Sequence, residues 1–140
     1  MSEVIKIANC SGFYGDNLSI AKKMVEGGPI DVLTGDYLAE LTMTILYNQK
    51  MKRGENLGYV GTFLKQFRDV AKLCNDQNIK IVSNAGGLNP ASMAAEVENI
   101  IKELNLDLKV AYIDGDDLMP RLDELISSGE KLKNIDKNND

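Results

Sequence analysis

Apolar positions along the chain follow two rhythms. Four short runs are dense in β-branched and aliphatic residues: residues 4–8, 30–34, 79–83 and 108–113. Each is bounded by turn-forming residues, which predicts a strand. The first three are nearly continuous in apolar character, broken only by a Lys or an Asp, as strands buried on both faces of a parallel sheet are. Between the runs the spacing changes to three and four. Leu18, Ala21, Met24 and Val25 share one helical face, which Gly27 and Gly28 terminate. Leu38, Leu41, Ile45 and Leu46 repeat the pattern after the second run. A further helix in the same connection aligns Phe63, Phe67, Val70, Ala71 and Cys74, and the polar residues 52–58 separate the two. After the third run Met93, Val97, Ile100, Ile101 and Leu104 form a stripe, with Asn89 placed as N-cap and Pro90 as first helical residue. A short last helix begins near Pro120, with Leu122, Leu125 and Ile126 apolar.

This order of elements predicts an α/β fold. Its centre is a parallel sheet of about four strands joined by right-handed crossovers, with helices on both faces in a Rossmann-like three-layer arrangement. Residues 1–130 are expected to form one α/β domain, and the polar, aperiodic residues 131–140 a loose C-terminal tail.

Composition narrows the function classes. The 140 residues are 44% hydrophobic and 26% charged, an ordinary globular balance. The net charge of -5 and the lack of any basic cluster beyond Lys50, Lys52 and Arg53 argue against nucleic-acid binding. No apolar run reaches the roughly 20 residues a bilayer span needs, and Met1-Ser2-Glu3-Val4 does not open a secretory signal. Two cysteines are too few for a disulfide scaffold. A cytoplasmic protein with no membrane contact is the expectation. There is no histidine, so Ser-His-Asp, Cys-His and HExxH chemistry cannot be supplied by this chain.

In open α/β sheets ligands bind beyond the carboxyl ends of the strands. Those ends carry the polar and glycine-rich residues of this chain. Asn9, Cys10, Ser11, Gly12 and Asp16 follow the first run, and Gly35, Asp36 and Glu40 follow the second. Asn84, Gly86, Gly87 and Asn89 follow the third, and Asp114, Gly115, Asp116 and Asp117 the fourth. Small residues let a backbone approach a ligand, and amides at a helix start attract anions. A phosphate or carboxylate could rest on Ser11-Gly12 or on Gly86-Gly87; equally, these glycines could serve only as tight turns. Neither loop has a dinucleotide or P-loop fingerprint.

Asp36 and Glu40 are four apart and share a helical face, a candidate acid/base pair. Asp16 and Asp36 could instead be N-caps, and Asp116-Asp117 solvated turn residues. No spacing identifies a metal site, and no cofactor is named by any motif. Cys10 could have a lowered thiol pKa at a helix start, but without a histidine base the small buried residue is the favoured reading. Cys74 lies on an apolar stripe.

Four of these segments resemble the acyclic terpene utilisation family. They are residues 7–16 (IANCSGFYGD), residues 25–40 (VEGGPIDVLTGDYLAE), residues 84–90 (NAGGLNP) and residues 115–118 (GDDL). The resemblance runs nearly the whole chain, through about residue 136. Members of the family are several times longer, so it implies either the N-terminal segment of a larger, truncated domain or a short variant that works alone or with a partner. It also implies a link to bacterial breakdown of acyclic terpenes such as citronellol and geraniol, through CoA thioesters.

The combined expectation is an enzyme-derived domain that binds a small-molecule metabolite, an acyl-CoA or a carboxylate. Ligand contact is assigned to Asn9, Ser11, Gly12, Asp16, Gly35, Gly86, Gly87, Asn89 and Asp116, and chemistry to Asp36, Glu40 and Asn84. The alternative is a non-catalytic binding or assembly domain, completed by a partner polypeptide or a homo-oligomer. An apolar sheet edge or helix face exposed after Met119 would favour it.

Overall fold

A computed structural model describes residues 4–131 and 133. Three of the apolar runs become strands: β1 (Ile7–Asn9), β2 (Val32–Gly35) and β3 (Lys80–Ser83). They pair in parallel in the order β1-β2-β3, with Ile7 opposite Val32 and Val32 opposite Lys80. The connections supply α1 (Ile20–Glu26), α2 (Glu40–Arg53), α3 (Gly61–Asp76) and α4 (Pro90–Glu103). A 3-10 turn over Met119–Arg121 leads into α5 (Leu122–Ser127).

The best-patterned helix is α3. It buries Phe63, Phe67, Val70, Ala71 and Cys74, the expected stripe, together with Gln66. Two core clusters meet along it. One joins Tyr37, Leu46, Val60, Phe63, Phe67 and Ala85 to Val97, Ile100 and Ile101 of α4. The other joins Cys10, Leu33, Val70, Cys74 and Ile79 to Ala21 and Val25 of α1. Ala8, Leu33 and Ile81 face these clusters, so α1 and α3 cover one side of the sheet.

The other side is open among the described residues, contrary to the expectation of helices on both faces. Ile7 is 65% exposed and Val82 58%. The physical reason lies in the strand order. Right-handed crossovers that always advance in one direction place every helix on the same face. Covering the second face requires the chain to return past β1, which these elements do not do.

The fourth expected strand is also absent. Residues 108–113 carry no regular secondary structure and make no ladder hydrogen bonds. Leu108 and Val110 are half-buried against the α4 side of the core, while Lys109 and residues 111–113 are exposed. Of the stripe expected for α2, Leu46 is buried and Leu38 packs on the core, whereas Leu41 is 72% exposed and Ile45 also faces solvent, with Thr42 buried instead. Most of the expected tail, residues 131–140, lies outside the described residues.

Candidate functional site

The loop after β1 is closed on itself. Cys10 N–H donates to Thr34 O at 2.8 Å and Asp36 N–H to Ser11 O at 3.0 Å, so pairing continues past the strand ends. Asn9 Nδ2 donates to Ser11 O and accepts at Oδ1 from Thr34 Oγ1. Ser11 is buried and its hydroxyl donates to Phe13 O. No helix starts directly after Cys10: α1, whose apolar stripe was expected from Leu18, begins at Ile20. The Gly12 amide is instead taken by Asp16 Oδ2 at 3.1 Å, and the Asn17 amide by Oδ1 at 2.7 Å. These two amides hold the Asp16 carboxyl below the usual carboxylate range, Gly12 foremost. The first loop thus already carries an anion, its own.

The ends of β2 and β3 are tied by one side chain. Asn84 Nδ2 donates to Asp36 Oδ1 at 2.6 Å, and Asn84 Oδ1 accepts from the Tyr37 amide at 2.9 Å. The structure therefore brings Asp36 and Asn84 together. Glu40 opens α2 as an exposed first-turn acid, and no hydrogen bond or ion pair joins it to Asp36 among the described residues. Beneath them Tyr37 is buried, its hydroxyl donating to Gln66 Oε1 at 2.6 Å. Burial pushes the Tyr37 phenol far above its ordinary value. Its ring lies over Gly35, where a Cβ would stand 2.6 Å from Cε2. Gly35 is there for packing.

The loop after β3 is the most constrained. Gly87 has a φ of +53°, and a Cβ would stand 2.4 Å from Leu46 Cδ1 and 2.8 Å from Gly58 O. At Gly86 a Cβ would meet Pro90 at 2.8 Å. Asn89 caps α4, accepting from Ser92 N–H, and its Nδ2 donates to Glu55 O and Leu57 O. The Leu88 amide donates to Gly58 O at 2.8 Å, and Lys50 Nζ reaches Leu88 O at 3.4 Å.

Against this loop lies a cleft of about 440 Å³. Gly87, Leu88, Asn89, Pro90, Ala91 and Met43 form one side, and Asp114, Gly115, Asp116 and Asp117 the other. Of the sequence-assigned residues it unites Gly87, Asn89 and Asp116. It leaves out Asn9, Ser11, Gly12, Asp16, Gly35, Asp36, Glu40, Asn84 and Gly86. Met43 and Lys50 were not foreseen as neighbours of this loop. Met43 sits off the stripe expected for α2, and Lys50 belongs to the one short basic cluster of the sequence. No group of three or more acidic or thiol side chains is placed to hold a metal among the described residues.

Neither thiol is placed for nucleophilic chemistry. Burial raises Cys10, with Tyr37 hydroxyl 4.0 Å from its sulfur, and raises Cys74 to about 11. No helix of the described residues is long and apolar enough to cross a membrane.

No curated protein and no solved structure gives a significant match to the chain. A family model described as "Acyclic terpene utilisation family protein AtuA" matches residues 5–140. The match includes every strand-end loop described above. The chain belongs to the acyclic terpene utilisation family.

Proposed function

We propose that this chain is a metabolite-binding module of an acyclic terpene utilisation-like protein, taking an acyl-CoA or carboxylate ligand at the carboxyl edge of the sheet. The observation that carries the reading is the cleft between the β3–α4 loop and residues 114–117. Its two ends differ in character. Met43, Leu88, Pro90 and Ala91 offer an apolar wall for an acyl chain. Asp114, Asp116 and Asp117 repel an anionic group from the other wall. Lys50 sits at the loop, and the Pro90 start of α4 leaves the Ala91 amide at the helix's open end. An anionic group is thereby directed toward Lys50 and Ala91, and the ligand binds in one orientation. Asp36 lies outside the cleft lining but on the same sheet edge, and with Oδ1 occupied by Asn84 and Oδ2 open it is the candidate acid/base. Glu40 is the second acid of that edge.

Calorimetric titration with CoA, short branched acyl-CoA esters and branched acids tests this, with and without Mg²⁺. Heat is expected with an acyl-CoA or an acid, weakened about tenfold or more by Lys50→Glu. Absence of heat with all of them, at every condition, refutes the reading.

A second reading is favoured by a separate observation. The helix after Met119 buries none of its residues, and Leu118, Met119 and Ile126 are exposed. With the open face of the sheet, this supports an assembly domain completed by a second polypeptide.

A further inference from the structure

We infer that the open face of the sheet is covered by α5 of a second copy of this chain, in a reciprocal two-fold exchange. This rests on the assembly reading and names its partner. The chain carries two unpartnered apolar surfaces. On the sheet Ile7 is exposed in a row with the half-buried Val32 and with Lys80, Val82 is exposed in a row with Thr34 and Asn9, and the exposed Ile5 precedes β1. On α5 Leu122, Leu125 and Ile126 stand at spacings of three and four and share a helical face, with Ile126 exposed and the two leucines half-buried. That helix packs chiefly on its own 3-10 turn.

The surfaces match in size and charge. Three strands about 4.8 Å apart make a face roughly 10 Å wide between the outer strand axes. One α-helix, about 10 Å across, covers it. Lys80 lies in the same register row as Ile7 and Val32 and makes no ion pair among the described residues. The first turn of α5 holds Asp123 and Glu124. Arg121 engages Glu124, while Asp123 has no ion pair among the described residues and is available to Lys80.

The path of the chain selects a second copy over the same one. After Ile113 the chain runs beside Met43 of α2 and residues 87–91. Leu46 of α2 belongs to the core on the covered side of the sheet. The chain's own α5 does not lie on its open face, where Ile7 and Val82 stay exposed, and packs chiefly on its own 3-10 turn. A reciprocal exchange satisfies both copies at once and closes the assembly as a dimer.

Sedimentation equilibrium on the purified chain, with cysteine cross-linking, tests the inference. A dimer is expected, with dissociation raised at least about tenfold by Ile7→Lys or Ile126→Asp. Both positions are more than half exposed, so each variant should fold, and circular dichroism checks this. Ile7→Cys and Ile126→Cys proteins, mixed, should cross-link through a short bis-maleimide. That product can only be intermolecular, and the native thiols Cys10 and Cys74 are buried. A monomer whose Ile7→Cys/Ile126→Cys double variant cross-links within one chain overturns the inference in favour of self-covering. A monomer that cross-links in neither format but binds a hydrophobic dye, with the signal lost in Ile7→Lys, overturns it while the assembly reading stands. A monomer with neither cross-link nor dye signal removes both.

Discussion

Gly87 separates packing from ligand contact among the glycines of the strand ends. Replacing it with alanine has two costs. A left-handed backbone at φ +53° is unfavourable for alanine by about 1–2 kcal/mol. The new methyl would also stand 2.4 Å from Leu46 Cδ1 and 2.8 Å from the Gly58 carbonyl. Leu46 is fully buried, and the Gly58 carbonyl is fixed by its bond from the Leu88 amide. Relief must come from shifting packed groups, which adds about 1–3 kcal/mol. The sum is a loss of about 3 kcal/mol, a fall in Tm of about 10 °C for a chain of this size. Gly12→Ala is the internal control: its φ is not positive, and nothing lies within 4 Å of its Cβ position. Its stability should stay within about 0.5 kcal/mol of the parent. Urea and thermal unfolding of both variants, followed by circular dichroism, make the comparison. A Gly87→Ala protein as stable as the parent would refute the packing argument. The Leu46 and Gly58 contacts would then be softer than their geometry states.

Asn89→Ala removes the α4 cap and two bonds that hold residues 55 and 57, and should cost about 2–3 kcal/mol in urea unfolding. Asp16 is held below its ordinary range, so its contribution to the loop is complete above that range and lost as pH falls through the lowered value. Amide shifts of Gly12 and Asn17 should titrate together at that acidic midpoint, and Asp16→Asn should abolish both titrations. Cys10 and Cys74 should resist a disulfide reagent at pH 8 in the folded protein and react only after unfolding, since burial raises both thiols. Rapid modification of either native thiol would contradict their placement.

The sequence was legible where a single periodicity governed burial. The α3 stripe and the Asn89-Pro90 start of α4 were readable because local propensity and core packing agree there. The α2 face was half so: Leu38 and Leu46 pack inward as the stripe expects, but Leu41 and Ile45 face solvent and Thr42 is buried, because tertiary packing overrides local spacing there. The strand at residues 108–113 failed for a related reason: β propensity needs a paired edge, and no ladder with β3 forms. At the site the glycines were visible but their roles were not. A glycine under a tyrosine ring and one exposed in a loop read alike in sequence; only the Cβ environment separates Gly35 from Gly12. Asp16 was ambiguous between ligand contact and capping; it does not cap α1, and its carboxylate turns back onto the amides of its own loop.

Strand order links the two proposed roles. A sheet built in one direction keeps its helices on one face and leaves the chain, after α4, to close the carboxyl edge from outside. Residues 114–117 do so, forming one wall of the cleft. They are all exposed and run almost directly into the 3-10 turn and α5. A helix docked on a second copy would fix the far end of that wall, reducing the ordering cost a ligand must meet. Linkage then works in both directions: a saturating ligand that orders residues 114–117 strengthens the dimer by the square of the factor by which dimerisation strengthens binding at each of its two sites. Sedimentation with and without a bound acyl-CoA measures that factor. A dissociation constant unmoved by saturating ligand would show that cleft and helix act independently, despite the single short segment that joins them.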